Sequence, residues 1–386
     1  MKKIIALLMF VCLLCGCTQA VKPEPTTAPT VPTTVPQTEP VISEYIEEPV
    51  ALEAVNKHPF YKTSESPTGA VLDQRAVAFL TNEYLNKDFS KKYTHIRLVD
   101  PYTGEMRTEV YLDGTYSLLP HSVQRGALAL VNGDSDEILV LDKNLQTLIS
   151  FDARSHEGVL TPALDSYYYV WGSKLYRQDV ATGESSLCQA GQELLMDEIW
   201  GYDPEENLLL VSMFADTYTT DLCMVALNLE NGSMELLYRD VSAGRLAAGG
   251  VFLEKKHEDL LSSDLYFGHW QDAELRILPD FLPNNKDFAS WHIAGSDYLC
   301  KFSYDPGGVD ILDFQLFRLG ESLEVCSLQS IFKGAKINST YALPDGSILA
   351  VAVSSRGYQT WLICPDQLEF VPAELNPDQG NGLVDA

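Results

Sequence analysis

Seven copies of one pattern recur about every 44 residues between residues 67 and 374, and this repeat constrains the fold more than any other feature. Each copy holds a β-like run, a tight acidic or glycine-bearing turn, and a second run. The clearest are IRLVDPYTGE (96–105), ILVLDKNL (138–145) and LYRQDVATGE (175–184). Looser copies are MVALNLENG (224–232), LYFGHWQDAE (265–274), FQLFRLGE (314–321) and WLICPDQLE (361–369). The first turn residue falls at Asp100, Asp142, Asp179, Asn228, Trp270, Arg318 and Pro365. An Asp or Asn there caps the turn with its side-chain oxygen, and Gly104, Gly183 and Gly232 supply the left-handed position of a bulged hairpin. A stronger apolar run precedes each hairpin, starting near Ala76, Ala127, Tyr167, Leu208, Val251, Tyr298 and Ile348.

Four strands per unit at this period describe the blade of a β-propeller, and seven such units need about 310 residues, which residues 67–374 supply. The expected fold is all-β, a seven-bladed β-propeller of four-stranded blades. The D-x-x-T-G-E turns resemble those of quinoprotein-type propellers, and the overall pattern is similar to TolB-like and WD40-like propellers. These are resemblances of turn chemistry and imply a fold, not an activity. The chain departs from each group. Met106-Arg107-Thr108 and Ser185-Ser186-Leu187 stand where quinoprotein blades place a Trp after T-G, the paired G-H and W-D of WD40 repeats are missing, and no S-x-D-x-G-x-x-W box of the sialidase type occurs.

Ahead of the repeats lie two segments of different composition. Lys2 and Lys3 precede an apolar run over residues 4–14, too short to span a bilayer at about 20 residues per helix, which reads as a signal peptide. The Leu14-Cys15-Gly16-Cys17 that follows resembles the lipobox of bacterial lipoproteins, although Cys15 replaces the usual Ala or Ser. The resemblance implies that Cys17 is acylated with a diacylglyceryl group and becomes the new N-terminus. Two acyl chains suffice for stable anchoring. Residues 18–50 then carry seven Pro, seven Thr and no Gly, a composition that cannot bury a core and that favours polyproline II. The expected domains are a lipoprotein signal peptide (1–16), a lipidated Cys with a disordered Thr/Pro-rich stalk (17–66), the propeller (67–374) and a flexible tail (375–386). Residues 44–48 (EYIEE) read instead as an added edge strand or a short helix on the folded domain.

Charge and motif searches narrow the function. A formal charge of −27 argues against nucleic acid and against electrostatic docking on anionic lipid. Cys188, Cys223, Cys300, Cys326 and Cys364 form no C-x-x-C pair and read as buried thiols. There is no G-x-S-x-G, H-E-x-x-H, G-x-G-x-x-G or Walker A pattern. The S-x-x-K at Ser330 to Lys333 lacks an accompanying K-T-G, and the acidic loop over residues 132–137 lacks the Gly and terminal Glu of an EF-hand, so it reads as a hairpin turn. Neither a cofactor nor a metal is expected. The seven His are scattered, and the nineteen Tyr, Tyr167, Tyr168 and Tyr169 among them, read mainly as packing between blades.

Two function classes remain: a membrane-anchored, extracytoplasmic, monomeric binding or scaffold module for a glycan, peptide or partner protein, and an extracytoplasmic hydrolase with a site assembled from several blades. The missing motifs favour binding. Two or three carboxylates converging in the channel would favour the enzyme. A propeller's second-to-third-strand loops and blade-to-blade loops emerge on one face. Here that face has the longer loops, and against the acidic background its cationic and aromatic residues Arg154, His156, Tyr218, Arg245, Tyr304, Arg356 and Tyr358 form the candidate ligand set.

Overall fold

The computed structural model describes residues 55–58, 67–84, 91–119, 126–188, 195–214, 222–239, 241–247, 250–256, 262–269, 275–283, 288–294, 297–304, 311–320, 322–329, 331–332, 336–354 and 357–373. Cys17, the lipobox, residues 44–48, Ser330 and Lys333 lie outside them. No α-helix occurs among the described residues, and none there is long and apolar enough to cross a membrane.

The strands pair into seven antiparallel sheets taken in chain order, a seven-bladed β-propeller. Blade one comprises Thr68–Asp73, Ala76–Tyr84, Lys92–Val99 and Met106–Asp113; blade two Tyr116–Leu118, Ala127–Asn132, Glu137–Asp142 and Thr147–Asp152. Blade three comprises Gly158–Leu160, Ser166–Trp171, Lys174–Asp179 and Ser185–Leu187; blade four Met196–Asp203, Leu208–Phe214, Leu222–Asn228 and Met234–Arg239. Blade five holds Ala243–Ala247, Gly250–Lys256, Ser262–His269 and Arg276–Pro283; blade six Phe288–Ala294, Tyr298–Tyr304, Ile311–Leu319 and Leu323–Ser327; blade seven Lys336–Ala342, Ile348–Ser354 and Gly357–Ile363. The first strand of each blade is innermost, and neighbouring first strands meet, as Met196–Asp203 does Ala243–Ala247 and Thr68–Asp73 does Lys336–Ala342.

Each blade buries both faces of its sheet, which is why the second strands are continuous apolar runs: every residue of Ala127–Asn132 is buried. Seven apolar clusters result, one between each adjacent pair of sheets. Ile96 meets Leu130 between blades one and two, Val140 meets Tyr167 between two and three, and Val159 meets Leu209 between three and four. Leu210 and Leu253, Phe252 and Leu299, and Phe314 and Ala350 continue the series. The seventh cluster joins Leu349 of blade seven to Phe79 of blade one and closes the ring.

The capped turns form as their sequence dictates. Asp100 Oδ1 accepts the Tyr102 amide at 2.9 Å, Asp142 Oδ1 the Asn144 and Gln146 amides at 2.8 Å, Asp179 Oδ1 the Thr182 amide at 2.8 Å and Asn228 Oδ1 the Glu230 amide at 2.9 Å. Gly104, Gly183 and Gly232 take φ of 70°, 72° and 71°. Two expected turns differ. The strand carrying Arg318 runs on to Leu319. Pro365 opens a 3-10 turn, Pro365–Gln367, after which Val371–Pro372 pairs with Leu323–Ser327 as a fifth strand of blade six. The outer strand of blade seven is instead Val55–His58, paired with Gly357–Ile363 from Val55↔Ile363 to His58↔Thr360, ahead of the expected start of the propeller. A ring must end where it began, and pairing the first strand beside the last satisfies an edge that would otherwise stay open.

Tyr167 and Tyr169 are buried between blades two and three, while Tyr168 packs between blades three and four. All five cysteines beyond residue 17 are free thiols, and burial pushes Cys188 up to about 11 and Cys300 up to about 12. In the 132–137 loop Asp134 Oδ2 accepts the Thr115 amide at 3.1 Å, and Glu137 accepts the Tyr116 hydroxyl at 2.7 Å and the Ser150 hydroxyl at 2.6 Å. These carboxylates tie the hairpin to the strands on either side of it.

Candidate ligand site on the channel wall

The innermost strands border the central channel, and an exposed side chain on one of them is a candidate for ligand contact. The innermost strand of blade four, Met196–Asp203, is distorted to present several. Its register against Leu208–Phe214 slips twice, between Met196 and Glu198 and between Ile199 and Gly201, so Asp197 and Trp200 are bulged residues. Both bulges are tied to one buried hydroxyl. Ser212 Oγ accepts the Trp200 Nε1 proton at 3.0 Å and the Glu198 amide at 3.2 Å, and lies 3.2 Å from Asp197 Oδ2, to which it donates. Asp197 and Glu198 are exposed. The Glu198 carboxyl is raised by partial burial and by the charges of Glu157, from the loop between blades two and three, and Asp197. Two carboxylates, from a loop and from the same strand, therefore act on Glu198.

Blade five contributes a cation on the next innermost strand. The Trp200 ring lies against Gly244, where an added Cβ would sit 3.0 Å from Cε3. Arg245, the next residue, is exposed on the innermost strand and sets its guanidinium 5.4 Å from the centre of the Trp291 ring of blade six. The atoms packed around its guanidinium partly desolvate Arg245 and lower it, opposed by the Glu254 charge, although part of the side chain stays open to solvent. Glu254 Oε2 in turn accepts the Trp291 Nε1 proton at 3.1 Å, and its Oε1 accepts the Ser263 hydroxyl at 2.9 Å. Lys301 stands opposite Trp291 in blade six; burial lowers Lys301 and raises Asp313, each opposed by the charge of the other. His292 is pushed down to about 4, mainly by burial and further by Arg245. The innermost strands of blades four and five, with the loop before blade three, thus carry Asp197, Glu198, Glu157 and the exposed Arg245, while the indoles of Trp200 and Trp291 pack into the clusters between blades. This set suits binding of a polar ligand through charge-assisted hydrogen bonds.

The seven residues singled out in the sequence are spread over several blades. Arg245 is on a strand rather than in the blade-to-blade loop expected for it. Arg154 is exposed and lines a groove of about 280 Å³ between blades two and three with Asp136, Tyr176 and Gln178. His156 is half-buried, with no hydrogen-bond partner for Nε2 among the described residues. Tyr358 packs against the cluster between blades seven and one. Tyr304 ends the second strand of blade six, and Tyr218 and Arg356 lie outside the described residues. Sequence reasoning missed Asp197, Glu198, Trp200 and Trp291. Gly201, a glycine within an apolar strand pattern, was the available signal of a bulge and a close approach.

No protein-family model matches the sequence, and no curated protein matches it. Among solved structures, the β-propeller domain of the Trilobed protease from Pyrococcus furiosus is 12% identical with a TM-score of 0.49, over 84% of this chain and 100% of that one. Oligogalacturonate lyase from Vibrio parahaemolyticus is 10% identical with a TM-score of 0.39, over 73% of this chain and 96% of that one. TolB from Acinetobacter baumannii is 12% identical with a TM-score of 0.36, over 77% and 81%. The seven-bladed ring assigned to this chain rests on its own strand pairing.

Proposed function

We propose that the chain is an extracytoplasmic lipoprotein, held in the cell membrane by a lipid on Cys17, whose propeller captures a glycan, peptide or partner protein on the channel wall of blades four to six. The observation that carries the binding role is Arg245. It is an exposed cation in a chain of formal charge −27, laid on an indole and fixed on an innermost strand. Residues 18–50 act as the spacer that holds the ring away from the bilayer, and the ring works as a single copy. The loop residues of the candidate set, Arg154, His156, Tyr218, Tyr304, Arg356 and Tyr358, belong to the approach to that wall.

Two experiments test this. Cys17→Ser should abolish metabolic fatty-acid labelling and release the protein from membranes; unchanged membrane retention rejects the anchor. On arrays of glycans and peptides the full chain should capture a defined ligand, and Arg245→Gln should weaken capture about ten-fold or more in a variant that still unfolds cooperatively. Capture unaffected by the substitution, or no capture at all, rejects the site.

The three carboxylates favour a second reading, hydrolysis, since a carboxyl raised beside an ionised neighbour is the arrangement used for acid–base chemistry. In that case arrayed ligands would be cleaved, and Glu198→Gln would abolish cleavage while preserving capture.

A further inference from the structure

Blades one and two leave a cleft of about 430 Å³ between them, lined by Asp73, Arg107, Thr108, Lys143 and Asn144 above the Leu98 side chain. It opens on the face of the capped turns, away from the blade-to-blade loops, and its volume lies within the range of small-ligand sites. The polar wall has an unusual balance for so acidic a chain: two cations, an amide and a hydroxyl against one carboxylate.

The carboxylates nearby are already engaged. Asp73 Oδ1 accepts the Arg75 amide at 2.8 Å. Asp100 takes the Tyr102 amide and, at 3.2 Å, the Arg107 guanidinium, with Arg75 at 3.9 Å. Asp142 Oδ1 is turned into its own loop, holding the Asn144 and Gln146 amides. Lys143 has no carboxylate within ion-pair distance among the described residues, and it is half-buried. Its position is fixed by Leu145, a residue with φ of 62° whose side chain is buried in the cluster between the two blades, so that Lys143 and Asn144 form the rim.

We propose that this cleft binds an anion, a carboxylate- or phosphate-bearing group of about monosaccharide size, independently of the channel wall. The Lys143 ammonium supplies the main charge, with Arg107, Asn144 and Thr108 as further donors. The test is calorimetric titration of the full chain, at low ionic strength so that exposed charges are not screened, with inorganic phosphate and separately with glucuronate. Saturable binding of one or both is expected, weakened about ten-fold or more in Lys143→Gln. The unfolding temperature should not change, because the side chain has no partner to lose. Saturation by phosphate alone assigns a phosphate-bearing ligand, and by glucuronate alone a carboxylate. The proposal is overturned if neither anion saturates the protein, or if Lys143→Gln binds as tightly as the natural chain.

Discussion

His292 is a base held neutral inside a protein that is otherwise dominated by acids. Its imidazole lies edge-on to Phe302 at 5.3 Å, and burial together with Arg245 brings it from 6.5 down to about 4. Between those two values the unfolded chain binds a proton that the folded chain does not, so stability must fall as pH drops from 6.5 toward 4. At its steepest the slope is roughly 1.4 kcal/mol per pH unit. Stability measured from neutral pH down to about pH 4 should therefore fall more steeply for the natural chain than for His292→Gln. Parallel curves would show that His292 does not carry the effect. The neighbouring pair Trp291 and Glu254 explains why the site was invisible in the sequence: nothing in a lone Trp or Glu records that strands 37 positions apart will join them by a hydrogen bond.

At the scale of single elements, the innermost strands of blades four and five approach so closely that side chains have been dispensed with. A Cβ on Gly201 would sit 2.7 Å from Leu246 Cβ, and one on Gly244 would sit 3.0 Å from Trp200 Cε3. Gly201→Ala should destabilise the fold by about 1–3 kcal/mol, since a backbone-borne carbon has no room to yield. Gly320→Ala, which meets only the Ser322 carbonyl oxygen at 3.5 Å, should change it by less than about 0.5 kcal/mol. Chemical denaturation of both variants decides, and equal losses would refute the close approach. Elements differ sharply in how well their residues announce them. The turns at Asp100, Asp142, Asp179 and Asn228 were legible because their chemistry is local, completed within four residues of the capping side chain. The second strands were legible because a doubly buried strand must be apolar throughout. The innermost strands were not. Gly158–Leu160 and Tyr116–Leu118 have only three residues each, and the bulges that re-aim Asp197 and Trp200 break the alternation by which a strand is recognised.

For the whole molecule, every placement above depends on one closed ring. The channel wall exists only if blade seven meets blade one, and the closing strand, Val55–His58, carries no pattern of its own. Four residues, VNKH, find a partner about 300 positions away, which no local reading of sequence reaches. The same strand falls within residues 17–66, the segment expected from composition to be stalk, so the edge of the ring reaches further toward the N-terminus than the repeats do. Hydrogen exchange of the full chain, followed by mass spectrometry, addresses this without any ligand. Backbone amides paired in a sheet exchange slowly, and unpaired ones in water do not. A closed ring predicts that peptides covering residues 55–58 are protected like the outer strands of the other blades, while the Pro/Thr-rich residues before them exchange at once. Exchange of residues 55–58 as fast as that preceding segment, with residues 357–363 unprotected along the same edge, would contradict it.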